Sequence, residues 1–459
     1  MIHDTTICAV ATPPGRGAIA VIRMSGKESL SILKKIFIPA GKKHQEILPN
    51  TTVYGTLVDG TGEIDRVVVS YYRAPRSYTG EDVVEISCHG SPYIQQTILH
   101  LLIRLGAVMA QPGEFTLRAF LNGKVELSQA EAVADVVAAS SEASLKLALR
   151  QMRGDFAREI ASLRDRLLHF SSLLELELDF AEEDVEFADR YKLLDLISGI
   201  KRKIDHLTQS FRVGKVIKDG VPVAILGKTN VGKSTLLNAL LREEKAIVSE
   251  IPGTTRDVIE DVIELEGVLF RFIDTAGIRK SKGRIEQIGI RRSFEKASSA
   301  AILLIVIDIR EKIEEIQKQA AVVTPSPDQR CIVLLNKADL LPAASVEEKV
   351  NRLELPWPVL AISAKNKEGL RNLEQQLLEA VQYHAASNEI IITNARHYEA
   401  LMHASEAAGR IIEGLKQQIP SDLIAMDMRE VLHHLGVISG TITTEEILQN
   451  IFKNFCIGK

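Results

Sequence analysis

Apolar positions over the first 120 residues come in short β-rich runs closed by turn residues. "AIAVIRMSG" (18–26), "DRVVVSYYRAP" (65–75) and "EDVVEISCHG" (81–90) predict strands. "SPYIQQTILHLLIRLGA" (91–107) has the spacing of an amphipathic helix ending at Gly106. From about Ser128 the period changes. Residues 128–180 hold a single glycine and no proline, and Leu163, Leu167, Phe170, Leu174 and Leu178 recur at helical spacing. Ser128 with Glu131 predicts a capping box opening one long helical segment. After a break the helical pattern continues over 191–211.

From Val221 the pattern switches again. Apolar strands at 221–227, 268–277, 300–309, 330–339 and 357–365 alternate with helical stretches, which predicts a parallel sheet covered by helices on both faces. The alternation ends near His384, and helical texture resumes at 394–415 and runs almost to the last residue. The expected fold is therefore multidomain, α/β and α. A doubly wound P-loop domain (217–383) is inserted into a helical domain whose parts (123–216 and 384–459) flank it, behind an N-terminal α+β domain (1–122).

Length and composition agree with this division. A chain of 459 residues is too long for one core. Its apolar and charged contents, 46% and 25%, are those of a globular protein, and its net charge of −4 requires any nucleic acid to be held by a local basic patch. Cys8, Cys88, Cys331 and Cys456 form no CxxC pair, so neither a zinc ribbon nor a disulfide framework is signalled, and reduced thiols in a cytoplasmic protein are expected. The start carries no basic n-region, and the longest apolar run, 300–307, is too short to cross a bilayer, so no membrane association is expected.

The chemistry begins at "ILGKTNVGKSTLLNAL" (225–240). Gly227, Gly232, Lys233 and Ser234 spell a phosphate-binding loop between a strand and a helix, the context that the motif requires. Its glycines let backbone N–H groups approach phosphate oxygens. Lys233 reaches the β- and γ-phosphates, and the Ser234 hydroxyl ligates Mg²⁺. Contacts are expected along the loop at Asn230, Val231, Gly232, Lys233, Ser234 and Thr235. "GTTRD" (253–257) supplies Thr255 as a second Mg²⁺ ligand, and "DTAG" brings Asp274, Thr275, Ala276 and Gly277 to the metal and the γ-phosphate. "NKAD" contributes Asn336, Lys337 and Asp339, and "SAK" Ser363, Ala364 and Lys365. The five pieces stand in the order a GTPase needs. The base is guanine: Asp339 accepts from N1–H and the exocyclic amine, donors that adenine lacks on that edge. Lys337 is expected to pack along the ring, and the Ala364 N–H to meet O6.

Ile278 follows "DTAG" where Ras-like switches carry a water-orienting glutamine. Glu286 is the candidate catalytic residue in its place, orienting water if its loop folds back; the alternative is a solvated acid on the switch helix. Asn230 is placed to help bind a monovalent cation that does the work of an arginine finger.

Asn230, "GTTRD", "DTAG" with Ile278 and Arg279, and Glu286 before "QIGIRR" together resemble the MnmE (TrmE) family of tRNA-modifying GTPases. "ATPPGRGAIAVIRMSG", "YTGEDVVEISCHG", "PGEFTLRAFLNGKVELSQAEAVADV" and the terminal "FCIGK" extend the resemblance to both ends. It implies a folate-binding, dimerising N-terminal domain that takes 5-formyl-tetrahydrofolate at Arg23, Glu81, Lys124 and Lys459. It implies K⁺ ligands at Asn230, Ser249, Ile251 and Thr254, in a switch loop whose Glu250, Pro252 and Gly253 also line the GTP. K⁺-dependent pairing of the two G domains would bring Glu286 into place. It further implies a homodimer working with a flavoprotein partner, MnmG (GidA), on C5 of the wobble uridine U34 of certain tRNAs, to install aminomethyl or carboxymethylaminomethyl groups.

Other features have plainer readings beside functional ones. Arg150, Arg153, Arg158, Arg164 and Arg166 offer an RNA backbone contact or a solvated face paired with acids. Glu182, Glu183 and Asp184 fit a helix-end loop better than a metal site, and His433 with His434 fits a helix. His89 is either structural or close to the folate, and Cys456 is either a redox-active thiol or a packed tail residue. A ribosome-assembly switch is an alternative function, but no GxxG loop of an RNA-binding KH module occurs. A self-sufficient folate enzyme is another, but no GxGxxG follows a strand.

Overall fold

A computed structural model describes residues 5–41, 47–179, 189–241, 261–273, 300–326, 329–381, 390–453, 455 and 457–458. The chain divides into two compact units: Met1–Ala138, Ala148–Ile204 and Glu399–Lys459 form the first, and Ala139–Leu147 with Asp205–Tyr398 the second.

The first unit is built on a seven-stranded sheet of β1 (Ile7–Val10), β2 (Ile19–Ser25), β3 (Phe37–Pro39), β4 (Thr51–Val58), β5 (Glu63–Tyr72), β6 (Val83–His89) and β7 (Val108–Met109). The strand order is β3-β4-β5-β6-β2-β1-β7, antiparallel except for the parallel β1–β7 pair. Val53, Leu57, Val67, Val69, Ile22, Met24, Val84 and Ile86 form its core with α1 (Ser29–Ile36) and α2 (Pro92–Arg104). Burial alternates along β5, as expected of a sheet with one wet face. The three strands read from the sequence are β2, β5 and β6. The short edge strands β1 and β3 and the polar β4 carry weaker apolar signals.

The helical part corrects one expectation. Residues 128–180 do not form one segment but α4 (Leu127–Ala138), α5 (Glu142–Met152) and α6 (Asp155–Asp179). Gly154 separates the last two at φ +83°, a left-handed value that ends a helix readily on glycine. Ser128 lies inside α4 rather than capping it, and the Glu126 N–H is satisfied instead by Gln129 Oε1 at 2.9 Å. α3 (Glu114–Leu121) precedes these helices, and α7 (Arg190–Asp219) follows.

The helical segments that flank the second unit in sequence meet in the first. Here α8 (Lys233–Leu241), α9 (Ile313–Ala321), α10 (Ala343–Arg352) and α11 (Leu370–Ala380) belong to the second unit, and α12 (Ala395–Lys416), α13 (Ser421–Ser439) and α14 (Glu445–Phe452) come after it. α13 packs on α6, with Arg429 Nε 3.1 Å from Glu175 Oε1. Lys201 Nζ donates to Ser405 Oγ at 3.0 Å, tying α7 to α12.

The second unit holds a six-stranded sheet ordered β13-β12-β11-β8-β10-β9, from β8 (Val221–Leu226), β9 (Asp261–Leu265), β10 (Val268–Phe272), β11 (Ile302–Asp308), β12 (Arg330–Asn336) and β13 (Val359–Ile362). Every pair is parallel except β9–β10. Each residue of β11 is buried, the signature of a strand covered on both faces. The antiparallel β9 is an addition to the expected topology. It joins β10 through Glu266 and Gly267 at φ +48° and +86°, both left-handed as a two-residue hairpin turn demands. Its half-exposed, acid-containing "DVIEL" has little of the apolar signal of its neighbours.

Candidate functional site

In the second unit the loops after β8, β12 and β13 meet, bringing three of the five predicted pieces together. The phosphate-loop glycines are set by sterics. Gly227 and Gly232 have φ +147° and +99°, and Asn230 adopts a left-handed φ of +63°. A Cβ on Gly227 would strike the Val306 carbonyl oxygen of β11, and one on Gly232 would strike the Asn336 side-chain nitrogen. Close approach of the loop to its neighbours, as well as backbone conformation, therefore excludes other residues here.

Asn336 is the hub. Buried at the end of β12, it donates from Nδ2 to the Val231 carbonyl at 2.8 Å and accepts at Oδ1 from the Ala364 N–H at 3.0 Å. One side chain thus ties the phosphate loop, β12 and the end of β13. The Ala364 N–H, expected on guanine O6, is spent on this bridge, since a buried N–H needs a partner. Asp339 Oδ1 accepts from Ser363 Oγ at 2.6 Å, so a hydroxyl on the neighbouring loop orients this carboxylate. Ser363 is in turn fixed by a two-way backbone bridge to Glu368.

Lys337 also reaches the phosphate loop. Its Nζ donates to the Asn230 carbonyl and to Asp308 Oδ2, each at 2.7 Å. Asp308, at the end of β11, also takes a bidentate contact from Arg310 at 3.0 and 2.7 Å. Arg310 first, then Lys337, hold the Asp308 carboxyl far below the usual carboxylate range. On the other flank of the loop, Lys228 Nζ pairs with Glu315 Oε1 at 3.0 Å. Lys233 opens α8, its Nζ donating to the Lys228 carbonyl at 2.7 Å and also to that of Gly227. Burial lowers its pKa, so a bound anion would strengthen its charged form. Ser234 and Thr235 stand exposed in the first turn of α8, where free N–H groups and the helix dipole favour phosphate. Lys365 is exposed beyond Ala364.

In the first unit a polar site lies between β2, the 73–82 stretch and α3. Arg23 Nη2 is 2.7 Å from Glu85 Oε1, and Nη1 donates to the Gly458 carbonyl at 3.2 Å. Its guanidinium lies 5.4 Å from the Tyr78 ring centroid and 5.7 Å from that of Phe115. Glu81 accepts from Ser25 Oγ at 2.6 Å and from Arg118 Nη1 at 3.2 Å. Lys124 Nζ donates to the Pro75 carbonyl at 3.0 Å. The tail reaches the same place: a Cβ on Gly458 would strike the Val10 carbonyl. Contacts through Ser25, Tyr78 and Pro75 thus connect the three expected folate residues that are described.

Arg118 is the main residue that motif reading missed. It is wholly buried and also holds Glu114 Oε1 at 2.8 Å and the Thr5 carbonyl at 2.7 Å. The only advance signal was the Glu114–Arg118 spacing of four within "PGEFTLRAF". Asp308 was likewise hidden as the last residue of an apolar strand.

The His89 ring Nδ1 lies 2.6 Å from Asp65 Oδ1. Of the arginine run, Arg158 pairs with Asp155 at 2.5 Å, as a solvated face would. His434 stacks on His403 from α12, and His433 meets the His434 ring edge-on. Cys8, Cys88 and Cys331 are free and buried, and burial pushes their thiols up to about 11. Ser249, Glu250, Ile251, Pro252, Gly253, Thr254, Thr255, Asp274, Thr275, Ala276, Gly277, Glu286, Cys456, Lys459 and the run Glu182, Glu183 and Asp184 lie outside the described residues. Among the described residues no helix is long and apolar enough to cross a membrane, and no group of His, Cys, Asp and Glu could hold a metal ion.

Two family models match the chain. The MnmE helical domain covers residues 127–456, and the GTP-binding protein TrmE N-terminus covers 6–124. The tRNA modification GTPase MnmE of Parabacteroides distasonis is 51% identical over 99% of this chain and 100% of its own. Those of Flavobacterium psychrophilum and Bacteroides thetaiotaomicron are each 50% identical over the whole of both chains. Among solved structures, the G domain of the T. maritima FeoB iron transporter matches 35% of this chain and 99% of its own, at 24% identity and a TM-score of 0.25. With the phosphate loop, the Asn336 hub and the Asp339 carboxylate assembled at the strand ends, and with relatives of half-identical sequence along its full length, the chain belongs to the MnmE family of tRNA modification GTPases.

Proposed function

We propose that this GTPase works as a cytoplasmic homodimer, with a flavoprotein partner of the MnmG (GidA) kind, to modify C5 of the wobble uridine U34 in certain tRNAs. The products are aminomethyl and carboxymethylaminomethyl uridines. The domain limits that go with this reading are 1–122, 123–216, 217–383 and 384–459. The observation that carries the nucleotide half is the buried Asn336 bridge between the Val231 carbonyl and the Ala364 N–H, which holds the phosphate loop against the base-reading loops. Lys233 binds the phosphates, Ser234 and Thr255 ligate Mg²⁺, and Asp339 reads guanine. Asn230, Ser249, Ile251 and Thr254 hold K⁺, and Glu286 orients the attacking water. The described part of the cation site is compatible with this assignment. Asn230 is exposed, and Lys337 takes its backbone carbonyl, so its amide oxygen is the ligand atom. A side-chain amide oxygen suits a hard, weakly charged cation.

The N-terminal half takes 5-formyl-tetrahydrofolate or a related tetrahydrofolate, which supplies the one-carbon unit. Its donor set fits such a ligand. Two aromatic rings flank the Arg23 guanidinium, and the Glu81 carboxylate and Lys124 ammonium stand by for the pterin and for the carboxylates of the glutamyl tail. The Gly458 carbonyl accepts from Arg23 in this set.

GTP turnover at equal ionic strength in K⁺ and in Na⁺, with wild type and Asn230→Ala, tests the cation assignment. K⁺ should raise the rate at least tenfold in wild type and little in the variant; equal rates in both salts would remove it. Chromatography of wobble nucleosides from cells lacking the protein should show loss of the C5 modification. An unchanged profile would refute the tRNA chemistry proposed.

A further inference from the structure

Resting on the folate reading just proposed, the N-terminal site also points to the form of folate it takes. The 73–80 loop follows β5 and is tightly held. The Ala74 N–H donates to Asp82 Oδ1 at 2.8 Å, Ser77 Oγ to the Glu81 carbonyl at 2.5 Å, and Asn122 Nδ2 to the Thr79 carbonyl at 2.8 Å. Tyr78 of this loop faces the Arg23 guanidinium and bonds Thr116 Oγ1 at 2.8 Å. The loop is thus a fixed wall of the Arg23–Glu81 site.

It also carries exposed cations. Arg73 and Arg76 are exposed, and the Arg76 N–H closes a turn on the Arg73 carbonyl at 2.9 Å. Lys124 lies across the same turn, on the Pro75 carbonyl. None of the three pairs with a carboxylate among the described residues. The acids Asp82 and Glu81 accept from other donors, Asp82 from the Ala74 N–H and Glu81 from Ser25 and Arg118. Arg73, Arg76 and Lys124 gather around one turn without an ion pair of their own, and like charges there repel one another. A bound polyanion relieves that repulsion.

We propose that the physiological ligand is an oligo-γ-glutamyl tetrahydrofolate, with the added carboxylates of its tail held by Arg73, Arg76 and Lys124. Continuity with the Arg23 site favours a tail on the same small molecule over an RNA strand. Arg73 and Arg76 present planar forks suited to carboxylates. The extra contacts are exposed, so they are modest singly, add over the tail and weaken in salt.

The test is calorimetric titration of the full-length protein with 5-formyl-tetrahydrofolate bearing one, three or five glutamates, at low and high salt. Wild type should bind the pentaglutamate about tenfold more tightly than the monoglutamate at low salt, with the gain shrinking at high salt. In Arg73→Ala/Arg76→Ala, with an unchanged melting temperature as the folding control, most of that gain should vanish. Equal affinities for all lengths in wild type would overturn the proposal while leaving the folate reading intact. A gain that survives in the variant would also overturn it, as would a variant defect confined to tRNA retention, which would assign the loop to RNA. Failure of every form to bind would refute the folate reading itself.

Discussion

The two candidate sites are held in opposite ways. The nucleotide site is assembled largely from backbone: left-handed glycines, a helix N-terminus and carbonyls at strand ends, cross-tied by the short polar side chains of Asn336 and Ser363. The N-terminal site is assembled around one long side chain. Arg118 lies fully buried and satisfies Glu81, Glu114 and the Thr5 carbonyl at once. The first kind of site is written in local motifs. The second depends on a charge that cannot leave without stranding two others.

This contrast is open to test. The largest effect belongs to Arg118→Met. It leaves the Glu81 and Glu114 carboxylates, 15% and 13% exposed, without their cation, so we expect the first unit to lose about 3–5 kcal/mol in urea unfolding. A loss below about 1 kcal/mol would erase the distinction drawn here. Asn336→Ala should come next. It orphans the Val231 carbonyl and the Ala364 N–H, and should cost the second unit about 2 kcal/mol and GTP affinity more than tenfold, read by unfolding and by nucleotide titration. Asp308→Asn is milder. Lys337 and Arg310 keep a polar partner but lose its charge, so GTP should bind about tenfold more weakly with little change in melting temperature.

Acid sharpens the comparison with the smallest effect. Burial, then the neighbouring His403 and His433, lower the pKa of His434 in the first unit from its ordinary 6.5. The unfolded chain therefore takes the proton first. Stability is complete above about pH 6.5 and is lost as pH falls from there through the depressed value. Asp308, in the second unit, is also depressed, but from 3.8, so its contribution is complete above about pH 3.8 and is lost only as pH falls from there. Unfolding midpoints at pH 7.5 and 5.5 should fall for the first unit before the second, and His434→Gln should flatten the first.

What sequence alone determined about this protein is what local physics dictates. Apolar runs of the right period predicted the parallel strands β8, β10, β11, β12 and β13, because a strand buried on both faces leaves a continuous hydrophobic signal. Gly227, Gly232 and Lys233 were legible because a phosphate loop needs those residues at that spacing. Edge strands escaped for the same reason in reverse: β9 and β3 bury little, and so they show little. Only the tertiary structure decided which buried charges meet. The partners of Arg118 lie 4, 37 and 113 residues away, and Lys337 reaches 107 residues back to Asn230. No period or motif encodes such pairs. They exist because desolvated polar groups must find partners wherever the packed chain brings one within reach.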